Sequence, residues 1–196
     1  HIARLRGDDA LLRHWMEARM KLTPDDPALL RAHAHLLASM GDEEAERAVR
    51  RLEALGVDTA ADRSLLSGLR ARAGARSEAI EAILQALEED PSRSGDWLHY
   101  AHLLEAEGEH ELALEANERC LTLDRQSGEA WALKARLLAE KQGHQRDALK
   151  AATHAVALDA GGVDAVFLKA ELLEIEGSVV AAEETLLKAL NAQPYN

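Results

Sequence analysis

The sequence is poor in aromatic residues and nearly lacks cysteine. Only six of its 196 residues are Phe, Trp or Tyr, and hydrophobic residues, mainly Ala and Leu, make up 47% of the chain. Ala and Leu are strong helix formers, whereas strand-rich domains draw on Val, Ile, Thr and aromatic residues. The composition therefore predicts an all-helical chain with enough apolar side chains for a substantial interior. The single cysteine, Cys120, excludes an internal disulfide and leaves the redox compartment open.

Long hydrophobic runs and an excess of positive charge are also lacking. No stretch of about 18 apolar residues occurs, and no signal-peptide pattern is recognised before the first helix, so we predict no direct membrane insertion of this segment. The chain has 23 Lys and Arg against 35 Asp and Glu, a formal charge of -12, and no run of basic residues. Because such a charge repels nucleic acid and anionic membrane surfaces, we predict no nucleic-acid partner.

Glycine, proline and tryptophan recur at fixed separations. With only four prolines in the chain, three pairs have the same separation of 17 residues: Gly7 and Pro24, Gly74 and Pro91, and Gly177 and Pro194. Trp97 and Trp131 are 34 residues apart, and each is followed four residues later by alanine. A constant period of this length indicates an array of repeats rather than one central core. An ordinary helical bundle, the alternative, requires these spacings to match by chance.

This repeat resembles the tetratricopeptide repeat, in which a bulky residue, a small residue four later, a turn glycine, two alanines and a terminal proline share a 34-residue unit. The unit from Gly128 fits at six positions: Trp131, Ala135, Leu138, Gly143, Ala148 and Ala155. The unit from Ser94 fits at Trp97, Ala101, Leu104, Gly108 and Ala113. The resemblance covers essentially the whole chain, strongly after Ala60 and weakly before it.

The resemblance implies an all-α fold, a right-handed superhelical solenoid of antiparallel helix pairs. We predict a single segment over 1–196, with a half repeat at 1–26 and repeats at about 27–59, 60–93, 94–127, 128–162 and 163–196. The chain begins with His1 rather than Met, and its ends fall within or just after a unit, so we interpret it as a piece of a longer protein. A targeting segment can then be missing, and the location stays open between cytoplasm and periplasm.

Nine histidines raise the question of a metal site. His99, His102 and Glu105 follow one another at intervals of three, on one face of a predicted helix, a geometry that could seed a zinc site. The facing place on the neighbouring helix holds Arg136, however, and a guanidinium beside a metal cation is unfavourable. We therefore predict neither a metal nor another cofactor, with these histidines lining a groove or exposed to water.

No pattern in the sequence predicts catalysis. Cys120 occupies a place where the family has a small buried residue, so we interpret it as a packing residue. A nucleophile needs an adjacent base, and none is indicated. No phosphate-binding glycine loop or nucleophile elbow occurs. We predict that this chain is not an enzyme.

In the family, the first helices of successive units line a concave groove. Carried over residue by residue, the resemblance implies a partner-binding groove formed by Arg31, His35, Arg72, Leu98, His99, His102, Glu105, Leu133, Arg136, Glu140, Phe167, Leu168, Glu171 and Glu174. It would run from basic to acidic, with an apolar centre around Leu98, Leu133, Phe167 and Leu168. A peptide of the opposite polarity is the expected guest. Binding through the convex face or the loops is the alternative.

The resemblance implies a scaffold or adaptor that binds a peptide or a partner protein segment in this groove. The Ala, Leu and Arg-rich composition favours a bacterial protein, and we expect a role in a bacterial assembly or envelope complex. The alternative is a structural spacer or dimerisation arm of a larger enzyme or export machine, and a homo-oligomer is compatible with either reading. The sequence does not identify the partner.

Overall fold

A computed structural model of the chain describes residues 9–158 and 162–192, which form eleven α-helices. Their bounds are α1 Asp9–Met20, α2 Pro27–Ser39, α3 Glu44–Ala54, α4 Ala60–Arg72, α5 Arg76–Glu89, α6 Ser94–Ala106, α7 His110–Leu123, α8 Gly128–Ala139, α9 Gln145–Ala157, α10 Gly162–Ile175 and α11 Val179–Ala192. Gly7 and Pro194, used above in two of the Gly–Pro pairs, lie outside the described residues, as does the beginning of the predicted half repeat.

The helices begin at capping residues that the sequence supplies. Before α2, the Asp26 carboxylate accepts hydrogen bonds from the backbone N–H of Ala28 at 3.0 Å and of Leu29 at 3.4 Å, and Pro27 stands in the first turn. Before α8, Ser127 Oγ accepts from the backbone N–H of Ala130 at 3.3 Å. These side chains satisfy N–H groups that have no partner within the helix. Asp26 therefore caps the start of α2.

Glycines end the first helices of the pairs. Gly108 and Gly143 have φ values of 80° and 81°, in the left-handed region that L side chains rarely adopt. After Gly108 the chain reverses, and the backbone N–H of Glu109 donates to the carbonyl of Leu104 at 2.9 Å. This arrangement satisfies a carbonyl at the helix end and lets the second helix start at once. The turn glycines of the repeat pattern, Gly108 and Gly143, thus end the first helices of their pairs.

The helices pack as adjacent pairs within two compact units, His1–Pro91 and Ser92–Asn196. In the first unit α2 packs on α3 and α4 on α5; in the second α6 packs on α7, α8 on α9 and α10 on α11. Short connections make the partners of each pair antiparallel. The predicted all-α class of paired helices is confirmed, while the grouping of the whole chain into one segment stays a prediction.

Small and large apolar side chains share the interior of the second unit. One cluster consists of Ala101, Leu104, Ala113, Ala116, Leu133 and Leu137. Alanines allow close approach of paired helices, and the leucines fill the space between one pair and the next. Among the described residues no helix combines the length and the apolar character that crossing a bilayer requires.

Candidate partner-binding groove

A pocket of about 420 Å³ lies in the second unit, along the first helices of its three pairs. It is lined by His102 of α6, by Glu129, Ala132 and Arg136 of α8, and by Asp164, Ala165, Phe167, Leu168 and Glu171 of α10. The pocket is open enough to admit a side chain or a short peptide segment.

Its base is apolar. Ala132 and Ala165 are buried and share a cluster with Ala155 of α9, so the two first helices approach closely at this point. Beside this base stand the large side chains of Leu168, which is half-buried, and Phe167, which is 58% exposed. An exposed phenylalanine on the wall of a pocket provides apolar area that a guest can cover.

A bidentate ion pair joins α6 to α8 at the edge of the pocket. Arg136 Nη2 lies 3.0 and 3.1 Å from the two carboxylate oxygens of Glu105, and Arg136 Nε lies 3.2 Å from Oε1. Burial alone would raise the pKa of Glu105, but the hydrogen bonds and charge of Arg136, together with His102, hold that pKa below its ordinary value. Because Glu105 neutralises it, Arg136 offers little free positive charge to a guest.

His102 lies between two carboxylates. Its Nδ1 is 3.4 Å from Glu105 Oε2, and its Nε2 is 3.6 Å from Glu129 Oε1, which is too long for a hydrogen bond. Nε2 has no hydrogen-bond partner among the described residues. Nε2 is buried beside Glu129 and is not presented to solvent.

The remaining charges at the pocket are negative. Glu129, Asp164 and Glu171 are all exposed. Exposed carboxylates contribute little binding energy singly, but together they attract a cationic segment and repel an anionic one. The pocket is therefore an apolar surface bordered by acidic side chains.

The structure brings five of the predicted groove residues together at this pocket: His102, Arg136, Phe167, Leu168 and Glu171. Glu105 is held against Arg136, and Glu174 is exposed one turn beyond Glu171 on α10. Leu98 and His99 lie nearer the start of α6 and are half-buried, with Leu98 packed beside Cys120 and Leu121. Neither Leu98 nor His99 lines the pocket. Burial lowers the pKa of His99.

Two predicted groove residues of the second unit are placed elsewhere. Leu133, expected at the apolar centre, is 0% exposed and packs with Leu104 and Ala113. It follows Ala132 directly, and one residue turns the side chain about 100° around a helix, here from the pocket into the interior. Glu140 follows the last residue of α8, with its Oε2 2.9 Å from His110 Nδ1, so it faces the start of α7.

In the first unit, Arg31 pairs with a residue of the same chain. Its Nε lies 2.8 Å from Asp62 Oδ2, and Nη2 contacts the carbonyl of Val57, so the guanidinium joins α2 to α4 instead of facing a guest. His35 is exposed on the same helix. Arg72 is exposed, donates to the carbonyl of Ala38 at 3.2 Å, and lines a separate pocket of about 440 Å³.

The sequence reasoning missed Glu129 and Asp164. Both lie in the first turn of a first helix, three residues before Ala132 and Phe167 respectively. Residues three apart on a helix share a face, so this spacing would have revealed them. Their absence from the prediction hid the acidic border of the pocket.

Neither metal binding nor cysteine chemistry has structural support in the described residues. In residues 9–158 and 162–192 no group of three or more His, Cys, Asp or Glu is arranged to hold a metal ion. Cys120 is buried with Leu121 and Ala130, and burial raises the pKa of its thiol, which keeps it protonated.

Comparison with known proteins identifies the repeat and the fold. Residues 97–127 match the family model described as tetratricopeptide repeat. PilF of Pseudomonas aeruginosa superposes with a TM-score of 0.83 at 17% identity, over 99% of this chain and 88% of that one. PilW, described as a widely conserved type IV pilus biogenesis factor, superposes with a TM-score of 0.81 at 18% identity. The superposition covers 99% of this chain and 90% of PilW.

A third similar structure is YrrB, described as a TPR protein with an unusual peptide-binding site. Its TM-score is 0.70 at 21% identity, over 91% of this chain and 92% of that one. No curated protein matches the chain in sequence. At these identities the likeness establishes the fold, and the resemblance predicted from the sequence is confirmed.

Proposed function

The chain has the tetratricopeptide repeat fold, and on that premise we propose that it is a scaffold or adaptor that binds a peptide or partner protein segment in the pocket between α6, α8 and α10. One observation carries this proposal: Phe167 is 58% exposed on the wall of a pocket whose base is apolar. Covering such a side chain with a guest removes apolar surface from water.

The chemistry of the pocket specifies the guest. An apolar side chain packs against Phe167 and Leu168, while Lys or Arg residues next to it face Glu129, Asp164 and Glu171. This guest is an apolar and basic segment, of polarity opposite to the acidic end of the predicted groove.

The partner, in this proposal, belongs to a bacterial assembly or envelope complex. Support comes from the Ala, Leu and Arg-rich composition and from the fold shared with PilW, a type IV pilus biogenesis factor, and with YrrB, which has a peptide-binding site. A fold alone does not fix a function, so the partner is defined here by its chemistry.

A second candidate function is a spacer or dimerisation arm. Trp15 on α1 and Leu22 just after it are exposed large apolar residues. Large apolar side chains that are exposed close together favour a contact with another chain. The molecular mass in solution, measured by light scattering, distinguishes a dimerisation arm from a monomeric adaptor. A dimerisation arm forms a dimer, and the Trp15→Ser substitution should disrupt it.

The binding proposal is tested by selecting peptides from a random display library on the intact chain, with removal of those that also bind the Phe167→Ser variant. We expect selected peptides to share an apolar residue flanked by Lys or Arg. Their affinity, measured by fluorescence anisotropy, should fall at least about tenfold, or 1.4 kcal/mol, in Phe167→Ser.

Charge reversal supplies the matched control. Glu171→Lys in the pocket and Glu115→Lys on α7 change the net charge equally, and both residues are exposed. Glu171→Lys and Arg136→Glu should alter the affinity of the selected peptides, while Glu115→Lys should not. Unchanged binding in both pocket variants, or equal losses in all three, rejects the pocket as the site.

A further inference from the structure

Ala132 of α8 is a small residue at a place where the neighbouring first helices carry large ones. The same place of the repeat is held by Leu98 in α6, 34 residues earlier, and by Phe167 in α10, 35 residues later. Ala132 lines the pocket. A methyl group at this place leaves room in the pocket that a side chain as large as its counterparts would occupy.

The base of the pocket is made of methyl groups that are fixed in place. Ala132 is 6% exposed and Ala165 is 4% exposed, and both pack with Ala155 of α9. An alanine side chain has no alternative rotamers, and its backbone here belongs to packed helices. The base therefore keeps its shape whichever guest enters, and the room above it has a definite size.

Large apolar side chains border the room above this base. Leu168 is half-buried and packs against the cluster that contains Leu172, which holds it in position, and Phe167 stands beside it on α10. The pocket volume of about 420 Å³ lies in the range of sites that enclose a small ligand. A whole leucine or phenylalanine side chain of a guest fits over the alanine base, with Phe167 and Leu168 against its flank.

We propose that Ala132 determines the specificity of the pocket, and that the anchor it selects is a large apolar side chain such as Leu, Met or Phe. This inference rests on the function proposed above and deepens it by naming the class of anchor. A guest alanine leaves most of the base uncovered, whereas a leucine covers it. The apolar area removed from water grows with each added methylene, and the affinity grows with it.

The test uses one basic peptide framework with four different anchors. Four fluorescein-labelled peptides, Lys-Lys-Gly-X-Gly-Lys-Lys, differ only at X, which is Ala, Val, Leu or Phe. The lysines are the same in all four, so their attraction to Glu129, Asp164 and Glu171 is common to the series. Differences in affinity, measured by fluorescence anisotropy on the intact chain, then report the anchor alone.

The Leu and Phe peptides should bind the unaltered chain at least about tenfold more tightly than the Ala peptide, with the Val peptide between them. Ala132→Leu places a large side chain in the room that the anchor uses. In this variant the Leu peptide should bind about tenfold more weakly, while the affinity of the Ala peptide changes less than about threefold. The preference for a large anchor should thus disappear.

Ala106→Leu is the matched control. Ala106 is exposed at the last residue of α6 and does not line the pocket, so this change should leave all four affinities in the same order. Because Ala132 is buried, a leucine there also strains the packing of α8 on α10. Ala132→Val adds less volume and should reduce the preference partially, and thermal denaturation verifies that each variant is folded.

Three outcomes overturn the inference about Ala132 alone. The first is binding that Phe167→Ser weakens but that is equal for all four anchors on the unaltered chain, a result that needs no Ala132 variant. The second is a preference for large anchors that persists in both Ala132 variants. The third is an equal loss of all four peptides in folded Ala132→Val, which shows an effect on the whole pocket and not on the anchor.

Failure of the proposed function itself gives a different result. If none of the four peptides binds, or if Phe167→Ser leaves their affinities unchanged, the pocket is not the binding site. The inference about Ala132 is then overturned together with the function on which it rests.

Discussion

Arg31 Nε donates to Asp62 Oδ2 at 2.8 Å and so joins α2 to α4 within the first unit. Asp62 is 2% exposed, and its carboxylate also accepts from the backbone N–H and the hydroxyl of Thr59, both at 2.9 Å. A carboxylate buried this deeply is tolerated only with several donors. Arg31 is therefore a structural contact between neighbouring pairs.

Replacing Arg31 by alanine should lower the free energy of unfolding of the first unit by about 1–3 kcal/mol, since a buried carboxylate loses its charged partner. The range lies below that of a fully buried pair because the arginine is partly exposed. His35→Ala, at an exposed position of the same helix, should change it by less than about 0.5 kcal/mol. Urea denaturation followed by circular dichroism measures both, and equal values would contradict the assignment.

Leu133 and Phe167 provide a second contrast. Leu133→Ala should destabilise the second unit by about 2–5 kcal/mol, because it empties a fully buried site. Phe167→Ala should remove much less stability, since most of that side chain is already in water. Thermal denaturation measures both losses of stability, and a larger loss in Phe167→Ala than in Leu133→Ala would contradict the burial of Leu133 and the exposure of Phe167.

The features predicted correctly are those that depend on local sequence. Gly108 and Gly143, the turn glycines of the repeat pattern, end helices because a left-handed residue is needed there. The repeat period places these signals at the same point of each pair. Helices and turns could therefore be predicted from a single sequence.

The errors concern which side of a helix faces which neighbour. Leu133 and Ala132 are adjacent in sequence, yet Leu133 fills the interior while Ala132 lines the pocket. Arg31 was assigned to the groove because the family pattern gives its position but not its ion pair with Asp62, 31 residues away. Long-range pairing of this kind depends on the packed structure, and one sequence contains no direct sign of it.

Two glycines of the first unit should respond oppositely to alanine. Gly68 lies inside α4, where an added Cβ meets no atom within 4 Å, so Gly68→Ala should stabilise the unit by about 0.5–1 kcal/mol through helix propensity. Gly74 has a φ of 82°, so Gly74→Ala should destabilise it by about 1–2 kcal/mol. Thermal denaturation of both variants is the measurement, and the same sign for both would contradict this reading.

His33 is a buried histidine without hydrogen bonds in the first unit. It is 7% exposed, and neither ring nitrogen has a hydrogen-bond partner among the described residues. Burial lowers its pKa most, and the charge of Arg13 lowers it further, while Glu17, Glu44 and Asp42 oppose this. His35, two residues later, is exposed, so the two histidines lie on different faces of α2.

The lowered pKa of His33 makes folding of the first unit sensitive to mild acid. As pH falls through about 6.5, residue 33 takes up a proton in the unfolded chain before it does in the folded chain, so stability is fully present above that pH and falls below it. In His33→Leu, the loss of stability caused by protonation of residue 33 should disappear. The decrease in Tm from pH 7.5 to 5.5 should therefore be smaller in this variant than in the unaltered chain. His35→Ala should show the same decrease in Tm as the unaltered chain.

Measuring above pH 5 avoids the range where Glu17 and Asp42, whose pKa values are lowered by hydrogen bonds and neighbouring charges, take up protons. An identical pH dependence in His33→Leu would mean that residue 33 is not the group that titrates.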